Sequence, residues 1–205
     1  MIWKRSWLSR EVLLFGCFSA MAALYAGSLW LTLPLSRQLG GATVLLGALG
    51  VTASAFIYLV PARPSWNTKF TVSDFFLTAA VLGPLFAVAI GAGHGHALTL
   101  IGVVAASAQL LNQMLRFLWM TASDSFELHA SARLLSTTLA KTFLLRGALL
   151  LAGGILLPMS ALGVARFAAL VLALAGDIVG RYLFYVSVVP KNMAAPYLAA
   201  QECAA

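Results

Sequence analysis

The chain has 205 residues, of which 61% are hydrophobic and 9% are charged, and its formal net charge is +7. A water-soluble domain carries roughly 25% charged residues, so this composition excludes a soluble globular protein. The positive charge does not indicate nucleic acid binding, because Lys and Arg beside the membrane explain it more simply.

Six apolar segments follow one another and predict an all-α, polytopic transmembrane helix bundle in a single domain, residues 1–205. Runs of about 20 apolar residues without alternation favour helices over a β-barrel, because a helix satisfies its own backbone hydrogen bonds in lipid. The predicted spans are 11–34, 42–60, 73–92, 97–120, 144–163 and 166–189. In the long connector 123–143, Phe126, Leu128 and Leu135 stand among charged residues, which is typical of a helix at the membrane interface.

An even number of spans places both termini on one side of the membrane. The opposite side holds only Arg37 and Arg166. Because cytoplasmic loops carry the excess of Lys and Arg, both termini are predicted to be cytoplasmic. The basic residues in the loops and ends of the terminal side are Lys4, Arg5, Arg10, Arg63, Lys69, Arg133, Lys141, Arg146 and Lys191.

Several ionisable residues fall inside the predicted spans or at their ends. Such groups cost roughly 2.5–3.5 kcal/mol each at membrane depth, so they need partners or a function. All of them are predicted near the terminal side, which concentrates the buried charge beneath one membrane surface. These residues are Glu11, Asp74, Arg116, Asp177 and Arg181.

Each of these charges also has a purely structural explanation. Asp177 and Arg181 are four positions apart on a helix, so we expect them to form an ion pair. An acid is favoured at a helix N-terminus, which suits Asp74 and Glu11. The long side chain of Arg116 can extend to the lipid headgroups.

No motif for metal, nucleotide or hydrolytic chemistry stands out. His94 and His96 are two positions apart in a glycine loop without a third ligand, which is weak evidence for a metal site. All three histidines of the chain fall in predicted connectors, so paired haem ligands inside the bundle are not expected. We expect this chain to bind neither haem nor metal.

A resemblance to a known family is carried by three segments: SWLSREVLLFG, IYLVPARPSWNTKFTVSDFFLTAAVLGPLF and AGDIVGRYLFYVSVVPKNMA. They resemble the membrane anchor subunit of dimethyl sulfoxide reductase and its relatives, including the anchor of the sulfite-oxidising molybdoenzyme. The resemblance implies a non-catalytic subunit of the bacterial inner membrane that holds a molybdopterin catalytic subunit and an iron–sulfur subunit. It also implies exchange of electrons and protons with the quinone pool.

The resemblance assigns a role to one carboxylate. In the family, a Glu of a Ser-x-Glu segment at the start of a helix belongs to the quinone site, and here that position is Glu11. Quinone reactions move two protons with two electrons, so a carboxylate near the headgroup can act as acid or base. Arg10, Arg181 and Tyr185 are further candidates for the quinone pocket. Family members normally have two more helices before this segment, so we expect either that the sequence lacks the first two helices of the protein or that this variant has six helices and an altered quinone site.

Alternatives to a quinone-linked anchor remain at this point. The positive excess favours a cytoplasmic catalytic module, as in the sulfite-oxidising type, over the periplasmic dimethyl sulfoxide reductase type. A purely structural anchor with an inactive quinone site is a second possibility. A small transporter is a third, although transporters place charges near the midplane and show repeat symmetry, which this sequence lacks.

Overall fold

The computed structural model describes residues 6–91, 95–160 and 165–191, and its regular structure in these ranges is helical, with no β-strand. A π-helical turn, Ala152–Leu156, joins the sixth and seventh helices of these ranges. The α-helices are α1 (Trp7–Trp30), α2 (Ser36–Ile57), α3 (Lys69–Ala89), α4 (Gly95–Thr121), α5 (Phe126–Ser136), α6 (Ala140–Leu151), α7 (Leu157–Met159) and α8 (Ala165–Val186).

Six helical segments of the described chain are long and apolar enough to cross a membrane, which confirms the predicted all-α fold. They are α1, α2, α3, α4, the continuous segment Ala140–Met159, and α8. Several begin before the predicted positions: α2 begins at Ser36 rather than at 42. The apolar run marks the part of a helix inside hydrocarbon, whereas the helix itself continues into the polar headgroup region.

The chain forms two compact units, Met1–Leu59 and Val60–Ala205. The first unit is a hairpin of α1 and α2, in which aromatic rings of α1 lie against glycines of α2. A Cβ at any of these glycines would stand 3.1–3.2 Å from a ring atom, so the absent side chains allow close helix approach. The pairs are Tyr25 with Gly40, Phe18 with Gly47, and Phe15 with Gly50.

In the second unit, an apolar layer packs α3, α4 and α8 together, and α5 folds back against the bundle. The apolar layer contains Val81, Leu85, Ala105, Ala106 and Ala173. The buried face of α5 contacts α4 and α8 in a second cluster that includes Leu128, Ala132, Leu135, Met120 and Leu183. A helix therefore occupies the connector as predicted, and its location at the membrane interface stays a prediction.

The π-helical turn brings two glycines against neighbouring helices. Gly153 faces the backbone of α8, where a Cβ would lie 2.8 Å from the carbonyl oxygen of Ala169, and Gly154 faces Ala106 of α4. A π turn inserts one extra residue into the helix and so changes the direction in which the following residues point. The turn thus determines how closely Ala140–Met159 approaches its neighbours.

Replacing Gly153 by Ala is expected to lower the free energy of unfolding by about 1–3 kcal/mol, because the added methyl group meets backbone atoms that cannot yield. Gly147→Ala is the matched control, since a Cβ at Gly147 meets nothing within 4 Å. It should leave stability unchanged or raise it by up to about 1 kcal/mol through helix propensity. Thermal unfolding in detergent measures both; equal midpoints for the two variants would contradict the close packing at Gly153.

Candidate functional sites

The first candidate site lies in the first unit, where α1 begins and α2 ends. Ser54 Oγ donates a hydrogen bond to Oε1 of Glu11, and Ser54 is buried while Glu11 is half-buried. The rings of Trp7 and Phe56 pack with their centroids 4.8 Å apart. The guanidinium carbon of Arg10 lies 4.5 Å from the centroid of the Trp7 ring. The hairpin therefore holds a carboxyl group beside aromatic rings and a cation at one end of an apolar unit.

Sequence reasoning selected Glu11 and Arg10 but missed Ser54, Trp7 and Phe56. Ser54 is a single hydroxyl in an apolar run, 43 positions from Glu11, and no local pattern links the two. A weak signal existed, because a serine and an aromatic ring near the end of one span can meet the start of the preceding span in an antiparallel hairpin.

The other predicted pocket residues lie in the second unit. The guanidinium carbon of Arg181 lies 3.8 Å from the centroid of the Phe75 ring. Tyr185 contacts Phe184 and Trp66 edge-on, at centroid distances of 5.4 and 5.8 Å. A quinone pocket that combines Glu11 with Arg181 and Tyr185 stays a prediction.

The second candidate site is a buried group of polar side chains in the second unit, which we call the polar core. Arg146 Nη2 donates to Asp74 Oδ1 at 2.7 Å, and each residue is only 6% exposed. Arg116 Nη2 donates to the carbonyl oxygen of Ser65 at 2.8 Å. The polar core consists of Asp74, Thr78, Gln109, Asn112, Gln113, Arg116, Arg146 and Asp177.

Asp177 belongs to the polar core through neutral partners. Its Oδ1 accepts hydrogen bonds from Gln109 Nε2 at 2.7 Å and from Thr78 Oγ1 at 3.3 Å. Gln109 Nε2 also donates to Thr78 Oγ1 at 3.2 Å. Gln109 is completely buried and Asp177 is 6% exposed, so this group is deep inside the unit.

The predicted ion pair between Asp177 and Arg181 is wrong. Among the residues that the structure describes, the ion pair within 4.0 Å joins Asp74 to Arg146. The carboxyl group of Asp177 points toward α3 and α4, whereas the guanidinium group of Arg181 lies over the ring of Phe75. Contacts between helices therefore replace the pairing expected from spacing along one helix.

Three other charged residues also differ from their predicted surroundings. Arg146 was counted among the basic residues in the loops and span ends of the terminal side, yet it lies inside α6 and is buried. Asp74 was explained as an acid at a helix N-terminus, but α3 begins five residues earlier, at Lys69, behind the cap residue Thr68. Arg116 was expected to reach the headgroups, and instead it is bonded to the backbone of Ser65.

A glycine on α8 makes the position of Arg146 possible. A Cβ at Gly180 would lie 2.5 Å from Nε of Arg146, so any larger residue there would displace the guanidinium group. Beside the Asp74–Arg146 pair lies a cavity of about 30 Å³, whose polar lining residues include Asn112, Gln113 and Arg116. The polar core thus combines charge compensation with a small internal space.

No group of three His, Cys, Asp or Glu side chains suited to a metal ion occurs in the described ranges. His94 lies outside those ranges, so the histidine pair of the glycine loop is not described as a whole. The expectation that the chain binds no metal stays a prediction.

The chain is similar in sequence to a known protein family and to a subunit of a known enzyme. The DMSO reductase anchor subunit (DmsC) family matches residues 3–186. A protein of Allochromatium vinosum that is a subunit of a sulfite dehydrogenase is 35% identical over 112 residues, which cover 47% of this chain and 34% of that protein. The matched part is therefore about a third of the length of that relative. No solved structure matches the chain.

Proposed function

Because the chain belongs to the DMSO reductase anchor subunit family, we propose that it attaches a molybdopterin oxidoreductase to the membrane and connects that enzyme to the quinone pool. Its partners are an iron–sulfur subunit and a molybdopterin catalytic subunit. The observation that carries the quinone assignment is the half-buried carboxyl group of Glu11, which Ser54 holds at the end of an apolar hairpin. The lipid-soluble substrate can reach such a position from the membrane.

Glu11 acts as the proton-transfer group in this proposal. When a quinol is oxidised, two electrons leave for the iron–sulfur subunit and two protons leave the hydroxyl groups, one to the Glu11 carboxylate and the other to water at the membrane surface. In quinone reduction the same carboxyl group supplies a proton. The hydrogen bond from Ser54 orients the carboxyl group. The positive charge of Arg10 stabilises the negative charge on the oxygen atom of the reduced quinone.

The catalytic module is proposed to lie on the cytoplasmic side, with both termini of this chain in the cytoplasm of a bacterial cell. The excess of Lys and Arg in the loops of that side supports this orientation. The likeness to a protein of a sulfite dehydrogenase supports a sulfite-dehydrogenase-like complex over the periplasmic dimethyl sulfoxide reductase type. The periplasmic type would require the same loops to face outward.

Removal of the chain tests the anchor function. In a strain that lacks this chain, the catalytic subunit is expected in the soluble fraction, active with an artificial electron carrier and inactive with a quinol or quinone analogue. Restoring the chain should return the activity to the membrane fraction and restore the reaction with quinones. A catalytic module that stays membrane-bound and quinone-active without this chain would overturn the proposal.

A further inference from the structure

The polar core forms a column along one direction of the second unit. Gln109, Asn112, Gln113 and Arg116 share one face of α4 and extend over about 10 Å, at 1.5 Å per residue. The outer end of the column lies near the start of α3, because Asn112 Nδ2 donates to the carbonyl oxygen of Phe70 at 3.1 Å and Arg116 Nη2 donates to that of Ser65 at 2.8 Å. It therefore runs from one end of the unit into its interior.

The inner end of the column is closed by the apolar layer. Asp177 lies one helical turn from Ala173, which is completely buried, and Gln109 lies one turn from Ala105. The apolar layer continues on α3 with Val81 and Leu85. Polar groups thus approach Asp177 from one end of the unit, and apolar side chains separate it from the other end.

Several polar atoms of the column lack a hydrogen-bond partner among the described residues, although they are buried. Polar atoms in such surroundings are costly unless water or a proton satisfies them. The cavity of about 30 Å³ is large enough for water, which needs roughly 10–15 Å³ and two to four polar partners, and its lining includes Asn112, Gln113 and Arg116 of the outer part of the column. The atoms without a partner in the column are Gln109 Oε1, Gln113 Oε1, Arg116 Nε, Arg146 Nε and Asp177 Oδ2.

The two buried carboxyl groups differ in what holds them. Asp74 contacts a guanidinium group directly, and this contact strongly favours the ionised carboxylate. Asp177 contacts an amide and a hydroxyl group, and these contacts persist when the carboxyl group is neutral. A proton can therefore bind to the unpaired Oδ2 of Asp177 with a smaller loss of existing hydrogen bonds than at Asp74.

The charges that face Asp177 permit both protonation states. Arg146 on α6 and Asp74 on α3 interact electrostatically with Asp177, Arg116 on α4 interacts with Asp74, and Arg181 lies on α8 itself. When Asp74 and Asp177 are both ionised, their two negative charges balance the positive charges of Arg116 and Arg146. A proton on Asp177 then leaves the cluster with a net charge of one positive unit. Arg181 is held over the ring of Phe75 rather than against Asp177.

We propose that Asp177 is a proton-binding site inside the membrane, connected by water along the polar core to the surface where α3 begins and α4 ends. A proton arrives from water, binds Oδ2 and converts the carboxylate to the neutral acid; release reverses the step. The site lies in a different unit from Glu11 and does not depend on the proposed quinone reaction.

Infrared difference spectroscopy on the purified full chain in lipid nanodiscs tests the site. Acidification is expected to produce carbonyl bands of protonated carboxyl groups, and one of them, which shifts in D₂O, is lost in Asp177→Asn. Thr78→Val should shift this band without removing it, because one hydrogen bond to Oδ1 is lost. Glu127→Gln, at a half-buried acid of α5, should leave the band unchanged. A wild-type chain without any such band, or an Asp177→Asn spectrum that matches the wild-type spectrum, overturns the proposal.

The rate of hydrogen–deuterium exchange of the same band tests the water connection. Gln113→Leu removes a polar lining residue of the cavity, so the rapid exchange of the Asp177 carboxyl group should be lost while its band remains. Gln38→Leu, at an exposed position of α2, makes the same chemical change away from the column. Exchange in Gln113→Leu that is as fast as in Gln38→Leu would refute the connection through the polar core.

Discussion

Replacing Glu11 by Gln is expected to slow electron transfer between the complex and a quinone analogue by about 100-fold or more, which is the lower end of what a positioned acid–base group contributes. Gln has nearly the same shape and still accepts the hydrogen bond from Ser54, so the hairpin should remain folded. The loss would therefore come from the missing proton acceptor. The measurement is the steady-state rate with a quinol analogue, in membranes that contain the whole complex.

Glu127→Gln is the matched control for Glu11→Gln. Glu127 is also a half-buried acid near the start of a helix, in the first turn of α5, so the variant removes the same charge from a similar position. It should keep the wild-type rate, and both variants should keep full activity with an artificial electron carrier. A wild-type quinone rate in Glu11→Gln would exclude Glu11 from the reaction and favour the purely structural anchor at this site.

Replacing Arg146 by Met is expected to lower the free energy of unfolding by about 3–5 kcal/mol, because it leaves the buried carboxylate of Asp74 without its partner. The Asp74–Arg146 contact is short, and both side chains are almost completely buried. Thermal unfolding of the purified chain in detergent, monitored by circular dichroism, measures the effect.

Two further variants separate charge from packing at Arg146. Arg166→Met removes an arginine from an exposed position at the start of α8 and should change stability little. The double variant Asp74→Asn with Arg146→Met removes both charges, and it should be more stable than Arg146→Met alone because no buried charge remains unpaired. If the double variant loses as much unfolding free energy as Asp74→Asn and Arg146→Met lose together when each is measured alone, then packing, and not charge pairing, accounts for the effect.

Hydrophobic run length was sufficient to predict the spans but not their ends. A run of apolar residues reports which part of a helix lies in hydrocarbon, and six such runs indicated six helices. The first turn of α2 contains Ser36 and Arg37, and α3 begins at Lys69 behind the cap residue Thr68. The polar residues in these turns indicated a loop in the sequence, whereas in the structure they belong to the helix and extend it beyond the apolar run.

The predicted quinone carboxylate illustrates a different limit. Glu11 was identified because it lies in a recognisable segment of its own helix, and this information is local. Its partner Ser54 comes from α2, and the pairing depends on how two antiparallel helices align. The residues around Ser54 in the sequence do not indicate which residue of α1 Ser54 contacts.

The sequence by itself determined that the chain is an all-helical membrane protein of this anchor family, since composition, run length and family segments are properties of the chain read in order. Only the tertiary structure decided the partners of the buried charges. Spacing along α8 suggested Asp177 with Arg181, but such a pair contributes only about 0.2–0.5 kcal/mol. Packing instead paired Asp74 with Arg146 and turned Asp177 toward Gln109. A desolvated charge takes the partner that the neighbouring helices bring within reach, and that choice depends on positions such as Gly180, where the absence of a side chain leaves room for Arg146.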